Sequence, residues 1–259
     1  MYKEWKITIP ALTDEEERKA YIYVPDIAFS DDSLRFPVLY MFDGHNLFSD
    51  AEATYGKSWG MLKYFTEHHV PLIIAALECN HHAEDDPGGG RMSEYSPFDF
   101  TVPRLGTVRG RGAVTMDYIV NAFKPYVDEN FPTLPDREHT FIGGSSMGGL
   151  MTLYALAAYG ETFSRGAALS PSIDFSPREV KAMLRSAEFD GTVLYMDMGE
   201  REMRGPRSRA AFGEVTSLLM KKGVLTVSRI VPGGIHSEVS WERQIPFFLN
   251  TLLYEYEEE

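Results

Sequence analysis

Residues 141–150 (FIGGSSMGGL) constrain the fold more than any other part of this 259-residue chain. They place Ser146 between Gly144 and Gly148, in the spacing G-x-S-x-G. A β-like run precedes the stretch and an apolar helical run follows it, so the spacing predicts a sharp strand-to-helix turn with the serine at its apex. The residues on either side of such a serine come close together, and glycine leaves the room that this approach needs. The pattern favours an exposed serine nucleophile over a glycine-rich loop that holds a serine by chance.

Segments typical of strands and helices alternate along the rest of the chain. Residues 5–9 and 19–24 predict an antiparallel hairpin, and residues 36–42 (FPVLYMF) form a continuous apolar run typical of a buried parallel strand. Further strands are predicted at 70–77, 165–169, 192–198 and 224–231, and helices at 58–68, 114–130, 147–159, 177–188, 207–222 and 239–254. This order predicts an α/β fold, with a mostly parallel central sheet entered through an N-terminal antiparallel hairpin and helices on both faces.

The composition argues against several classes of partner. A formal net charge of -13 and an isoelectric point near 5.0 disfavour binding to nucleic acid or to an anionic membrane. Cys79 is the only cysteine, so no intramolecular disulfide can form. The first residues lack the apolar stretch of a signal peptide, and the longest apolar runs are too short for a membrane span. We therefore expect a cytoplasmic protein with one domain over residues 1–259 and no nucleic-acid or membrane partner. The sequence does not decide whether the protein forms a homo-oligomer.

Residues 80–112 lack regular periodicity and contain the run DDPGGG. Loops of this length are usually functional or disordered, so we expect a partly ordered loop near the mouth of the site. The histidine pairs at 68–69 and 81–82 lack the spacing of metal ligands and have no matching acid. The sequence therefore predicts no metal and no other cofactor.

A serine nucleophile needs a base, and the base needs an acid to orient it. His236 follows the last predicted strand in the turn PGGIH, and it is the one histidine of 7 that follows a strand after Ser146. The acid is expected after the strand at 192–198. The candidates are Asp197, Glu200 and Glu202, with Asp174 as a weaker alternative.

Two backbone N–H groups are needed to stabilise an oxyanion. We expect one from Met147, at the N-terminal end of the helix after Ser146, where the helix dipole favours negative charge. The other is expected from the turn after the strand at 36–42. His45 is the preferred residue there, with Gly44 next, and it is the backbone of His45 that matters for this role.

Four stretches of the sequence resemble one known family: residues 40–48 (YMFDGHNLF), 91–97 (RMSEYSP), 143–150 (GGSSMGGL) and 233–236 (GGIH). Together with the order of the intermediate elements, they resemble the Putative esterase family of α/β-hydrolases. That family includes esterase D, feruloyl and acetylxylan esterases, enterochelin-type siderophore esterases and the mycolyltransferases. The resemblance covers nearly the whole chain and implies the α/β-hydrolase fold.

The resemblance also implies two site residues. Members of the family carry the acid three residues after a glycine that ends the seventh sheet strand, which here implies Gly199 and therefore Glu202. Members also place an oxyanion N–H on the residue after Asp-Gly, which implies His45. Some siderophore esterases of the family work without an effective acid, so a Ser146–His236 dyad is an alternative.

These residues favour a serine carboxylester hydrolase that acts on a small to medium ester through Ser146, His236 and Glu202. An acyltransferase would use the same acyl-enzyme, and a non-catalytic binding protein could retain the fold.

Several arginines lie in the predicted loops, against the acidic balance of the chain: Arg91, Arg104, Arg109, Arg111, Arg201, Arg204, Arg207 and Arg209. The simpler interpretation is that they pair with surface carboxylates. The alternative is that one of them binds an anionic part of the ester.

Overall fold

A computed structural model describes residues 1–82, 89–104, 106–203 and 205–254. The strands are β1 Tyr2–Thr8, β2 Glu17–Tyr23, β3 Val38–Met41, β4 Ile73–Leu77, β5 Phe100–Val102, β6 Gly106–Val108, β7 Thr140–Ser145, β8 Arg165–Leu169, β9 Val193–Gly199 and β10 Leu225–Val231. The helices are α1 Pro10–Thr13, α2 Met61–Glu67, α3 Gly90–Glu94, α4 Gly112–Tyr118, α5 Lys124–Asn130, α6 Met147–Ala158, α7 Pro177–Ser186, α8 Pro206–Lys221, α9 Glu238–Glu242 and α10 Ile245–Leu252. Part of the predicted long loop, at 83–88, and Arg204 lie outside the described residues.

Eight of these strands form one sheet, in the order β1-β2-β4-β3-β7-β8-β9-β10. β1 pairs antiparallel with β2, and β2 pairs antiparallel with β4. From β4 to β10, each neighbouring pair in the sheet is parallel. The carboxyl ends of the parallel strands therefore meet at one edge of the sheet, and the loops that follow them lie side by side. The predicted α/β class, with its hairpin and mostly parallel sheet, is confirmed.

Buried side chains form two hydrophobic clusters, one on each face of the sheet. One cluster packs α4 to α8 against the sheet, and the other packs α2, α9 and α10 against the opposite face. In β3, Val38 and Tyr40 belong to the first cluster, whereas Leu39 and Met41 belong to the second. This alternation follows from the two-residue period of a strand and explains why residues 36–42 are continuously apolar.

The helix predicted over 114–130 is divided into three parts. α4 is followed by a π-helical segment, Ile119–Phe123, and then by α5, which has Pro125 in its first turn. Because proline has no backbone N–H, one bond of the α-helical ladder is missing there, and the wider π-turn lies next to the gap. The helix predicted over 239–254 is likewise divided into α9 and α10, and α10 also has a proline in its first turn.

The helix predicted to begin at Ser58 begins at Met61 instead. Gly60, with φ of 64°, precedes it, and the Ser58 hydroxyl donates to Asp50 Oδ1 at 2.7 Å. The described parts of the predicted long loop contain α3 and the small antiparallel pair β5–β6. Along the four described ranges, no helix is both long and apolar enough to cross a lipid bilayer.

Candidate active site

Ser146 forms the turn between β7 and α6. Its φ of 60° and ψ of -120° lie in a region that residues with a side chain rarely adopt. The Ser146 N–H donates to the Leu169 carbonyl at 2.9 Å, which ties the turn to the neighbouring strand. A Cβ added at Gly144 would lie 3.0 Å from the backbone carbonyl carbon of Gly148. The two glycines therefore allow the close approach on which this turn depends.

The structure brings Ser146, His236 and Glu202 into one continuous chain of side chains. Ser146 Oγ lies 2.8 Å from His236 Nε2, and Glu202 Oε2 lies 2.5 Å from His236 Nδ1. His236 lies in the loop after β10, and Glu202 lies three residues beyond the end of β9. The three side chains thus come from the loops after β7, β9 and β10 and meet with the spacing of hydrogen bonds.

The loops that carry Glu202 and His236 are held together by their backbones. The Arg201 N–H donates to the Gly234 carbonyl at 3.0 Å, and the Glu200 N–H donates to the Val231 carbonyl at 3.0 Å. A Cβ added at Gly234 would lie only 2.9 Å from Gly199 Cα. Glycine at both positions lets the two loops touch, and this contact sets the distance between the carboxylate and the imidazole.

The second oxygen of the Glu202 carboxylate is also bound. Oε1 accepts hydrogen bonds from the Ser170 hydroxyl at 2.8 Å and from the Gly199 N–H at 3.0 Å. Burial raises the pKa of Glu202, but the hydrogen bonds from His236, Ser170 and Gly199 outweigh this effect, so its pKa is lowered from the ordinary value. Trp241 Nε1 in turn donates to Ser170 Oγ at 3.0 Å. Glu202 is therefore ionised at neutral pH and fixed in orientation.

The alternative acids have other partners. Asp197 accepts from the Tyr195 hydroxyl at 2.8 Å and from the Ser170 N–H at 3.2 Å, and burial raises its pKa to about 7. Glu200 accepts from the Gly233 N–H at 2.8 Å, and Asp174 lies exposed in a separate turn. Of the four candidates, Glu202 is the carboxylate hydrogen-bonded to His236.

The two backbone N–H groups predicted to face an oxyanion come from separate elements. Met147 is the first residue of α6, and His45 lies in a 3₁₀ turn, Gly44–Asn46, after β3. Within the described ranges, neither backbone N–H has a hydrogen-bond acceptor. The turn that contains His45 begins at Asp43, whose φ is 58°. Both predicted donors are therefore available to an added group.

Asp43 is held by Arg91, which sequence analysis named only among the arginines that could bind an anionic part of the ester, and by Tyr95, to which it gave no role. Arg91 donates from Nε and Nη2 to the two carboxylate oxygens, each at 2.7 Å, and the Tyr95 hydroxyl accepts from the Asp43 N–H at 3.1 Å. The burial of Asp43 raises its pKa, but the charge and hydrogen bonds of Arg91 outweigh this effect and lower it. Both partners lie in the stretch 91–97, whose resemblance to the family was the available signal. Nothing local in the sequence indicated Ser170 or Trp241.

A cavity of about 460 Å³ opens over Ser146 and His236. Its lining includes Tyr55, Glu238 and Trp241, together with residues 80–82 and 89–91 of the predicted loop. A larger cavity, of about 1240 Å³, lies between α8 and β10 and contains neither Ser146 nor His236. We assign the smaller cavity to the site because it contains the serine and the histidine.

The arginines of the predicted loops, for which pairing with surface carboxylates was the simpler interpretation, have varied positions. Arg91 lines the cavity but is bound by Asp43, and Arg111 donates to the carbonyls of Ala11 and Leu12. Arg201 lines a small cavity next to Glu202 and His236. Arg204 and the side chain of Arg207 lie outside the part of the chain that the structure describes. Binding of an anionic ester group by an arginine stays a prediction.

A mostly parallel sheet with a serine at a strand-to-helix turn, followed along the chain by an acid and a histidine, is typical of the α/β-hydrolase class. The chain belongs to the Putative esterase family, whose model matches residues 12–252. This membership confirms the predicted resemblance and assigns the chain to the carboxylic ester hydrolases.

Individual relatives are distant in sequence and similar in fold. The uncharacterized protein YbbA of Bacillus subtilis (strain 168) is 24% identical over 194 residues, which cover 74% of this chain and 71% of YbbA. An IroE-like serine hydrolase from Shewanella oneidensis has a TM-score of 0.74 at 19% identity, covering 96% of this chain and 79% of that structure. The BES protein from Bacillus cereus has a TM-score of 0.71 at 20% identity, covering 98% of this chain and 95% of that structure. The predicted α/β-hydrolase fold is confirmed.

Proposed function

We propose that the protein hydrolyses small to medium carboxylic esters through an acyl-enzyme on Ser146, with His236 as general base and Glu202 as the orienting acid. The observation that carries this proposal is the hydrogen-bonded chain of 2.8 Å and 2.5 Å from Ser146 Oγ through His236 to the Glu202 carboxylate. This is the arrangement that activates a serine hydroxyl in catalytic triads. A cavity of about 460 Å³ over the serine suits a ligand of this size.

The first half of the reaction forms the acyl-enzyme. Glu202 accepts a hydrogen bond from His236 Nδ1–H, which leaves the Nε2 lone pair facing the Ser146 hydroxyl. As Ser146 Oγ bonds to the ester carbonyl carbon, its proton moves to Nε2, and Glu202 stabilises the imidazolium. His236 then gives this proton to the departing alcohol oxygen as the ester C–O bond breaks. The acyl group remains on Ser146.

The second half releases the acid. A water molecule gives a proton to His236 Nε2 and attacks the acyl carbon. The bond to Ser146 Oγ then breaks, and the proton returns to that oxygen. In both halves the carbonyl oxygen becomes negatively charged, and the N–H groups of Met147 and His45 are the proposed donors to it. Their lack of acceptors in the described ranges and the N-terminal position of Met147 in α6 support this role.

Labelling with a fluorophosphonate tests the proposal directly. We expect the reagent to phosphonylate Ser146 in the wild-type protein, with the label on Ser146 and not on the adjacent Ser145 after peptide mapping. The variant His236→Ala should label much more slowly, because the serine then lacks its base. A wild-type protein that stays unlabelled, or one labelled at another serine, would contradict the proposal. Product analysis with a competing alcohol separates hydrolysis from acyl transfer.

A further inference from the structure

Three potential metal ligands meet at one wall of the cavity. His45 follows β3, while Cys79 and His81 follow β4, the neighbouring parallel strand. Their ligand atoms all lie within 4.8 Å of one another, and the His45 and His81 ring centroids are 4.5 Å apart. All three residues line the cavity that contains Ser146. The fold thus brings together residues that are separated in the sequence.

One of these ligand atoms is buried without a partner. His45 is only 4% exposed, and within the described residues its Nδ1 has no hydrogen-bond partner. Its Nε2 lies 3.0 Å from Thr54 Oγ1. With Nε2 protonated and donating to Thr54, Nδ1 carries a lone pair directed away from that contact.

His81 has a similar arrangement. Its Nε2 lies 3.2 Å from Glu78 Oε1, and donation to this carboxylate leaves Nδ1 as the lone-pair nitrogen. Histidine ligands of metals commonly donate their second nitrogen to a carboxylate or another oxygen, which fixes the tautomer and the ring orientation. Both histidines therefore have the hydrogen bonds that support metal ligands. Cys79, 2% exposed, supplies a thiol within 4.8 Å of the ligand atoms of both histidines.

We propose that His45, Cys79 and His81 form a binding site for a Zn²⁺-like transition-metal ion, with a fourth position open to the cavity. Two imidazole nitrogens and one thiolate are a donor set typical of zinc. On binding, the Cys79 S–H bond breaks, its proton leaves to solvent, and the sulfur electron pair forms the bond to the ion. His81, the exposed member of the set, moves by roughly 1 Å to bring its nitrogen to the metal–ligand distance of about 2 Å.

The sequence predicted no metal, because each histidine pair was assessed by its own local spacing. The site described here instead combines one member of the 81–82 pair with residues from other positions. The proposal does not depend on ester hydrolysis, since metal binding can be measured when Ser146 is absent. A bound ion shares the cavity with Ser146, so added Zn²⁺ is also expected to slow the proposed ester hydrolysis.

The test measures Zn²⁺ affinity by competition with a chromophoric chelator, on tag-free protein that carries Ser146→Ala. We expect one tight site per chain. Cys79→Ser and His81→Ala, each added to this background, should weaken binding about 100-fold or more, since loss of even a ligand's hydrogen-bond partner costs about 10- to 100-fold. The matched control is His82→Ala. It removes the adjacent histidine, whose Nε2 lies 2.6 Å from Glu16 Oε1, and should change affinity by less than about twofold.

Co²⁺ provides a second readout that depends on the sulfur. The Ser146→Ala protein with Co²⁺ bound should show a thiolate-to-cobalt charge-transfer absorption. Adding Cys79→Ser should remove this absorption, while the near-ultraviolet circular dichroism of the double variant stays native. Zn²⁺ affinity that is unchanged in Cys79→Ser, or Co²⁺ binding without the charge-transfer band, would overturn the proposal. The proposal would also be overturned if the Ser146→Ala protein bound Zn²⁺ no more tightly than the same protein with His81→Ala added.

Discussion

The Ser170 hydroxyl donates a 2.8 Å hydrogen bond to Glu202 Oε1, the carboxylate oxygen opposite the one that faces His236. Ser170 Oγ also accepts a 3.0 Å hydrogen bond from Trp241 Nε1, so its own proton is directed to Glu202. Ser170 follows β8, whereas Glu202 follows β9 and Trp241 belongs to α9. This relationship makes Ser170 a positioning residue for the proposed acid.

Ser170→Ala is expected to lower kcat/KM about tenfold. A hydrogen bond to a charged group contributes about 1.5–3 kcal/mol, and the Gly199 N–H retains part of the support. The loss of activity at low pH that follows from protonation of Glu202 should also begin at a higher pH, because the carboxylate loses a donor that lowers its pKa. Ser176→Ala is the control: it removes a buried hydroxyl that has no partner among the described residues, and it should leave both readouts unchanged. An unmoved pH profile in Ser170→Ala would contradict the positioning role.

Glu202→Gln should cost far more activity than Asp197→Asn. The first change is expected to lower kcat about 10⁴-fold, because an amide at this place favours the wrong tautomer of His236. The second should keep kcat within about tenfold, since Asp197 binds Tyr195 and Ser170 rather than the imidazole. Steady-state kinetics on one ester compares them. Equal losses in the two variants would indicate that Asp197 has a larger role than its contacts support.

Asp197 should also make stability depend on pH. Burial raises its pKa to about 7, above the value of about 4 in an unfolded chain. Between these two values the folded state retains a proton that the unfolded state has lost, so the stability due to this proton is lost as pH rises from about 4 to about 7 and changes little above that. Between pH 5 and pH 8, the wild type should lose about 2 kcal/mol relative to Asp197→Asn. Urea unfolding of both proteins at pH 5 and pH 8 measures this difference. Equal changes in the free energy of unfolding of the two proteins would contradict the role assigned to the Asp197 proton.

Gly234→Ala should separate the loops that carry Glu202 and His236. The added Cβ would lie 2.9 Å from Gly199 Cα and 3.0 Å from the Val231 carbonyl oxygen, so one loop must move. A displacement of about 1 Å in catalytic geometry can cost about 100-fold in rate, and we expect a loss of kcat of that order. Gly233→Ala is the matched control. Its Cβ would meet no atom within 4 Å, although its φ of 66° makes alanine cost about 1 kcal/mol of stability. Comparable kcat losses in both variants would mean that backbone strain, rather than loop contact, is responsible.

Local sequence patterns predicted the features that depend on contacts within a single turn or strand. The glycine spacing around Ser146 reflects the Gly144–Gly148 contact within one turn, and the apolar run at 36–42 reflects a strand with buried side chains on both faces. Sequence patterns predicted only in part that the helix expected over 114–130 is interrupted at residues 119–123. Pro125 indicated a bend, but no sequence pattern indicated the π-helical segment before it.

Contacts between distant segments could not be read from local spacing. Spacing alone left Asp197, Glu200 and Glu202 open, and only the family resemblance favoured Glu202. Ser170 and Trp241 are 71 residues apart, and Asp43 and Arg91 are 48 residues apart. Such pairs are created by the order of the strands in the sheet. The residue types of these pairs can be read from the sequence, but the contact between the two members of each pair cannot.

The most direct test of the proposed mechanism is the steady-state hydrolysis of a panel of esters by the wild type and by Ser146→Ala. The panel should vary in acyl length and aromatic character, and circular dichroism should verify that the variant is folded. We predict measurable turnover by the wild type and a loss in kcat on the order of 10⁶-fold in the variant, because the nucleophile is absent. Residual activity of folded Ser146→Ala within about tenfold of the wild type would contradict the assignment of Ser146 as the nucleophile.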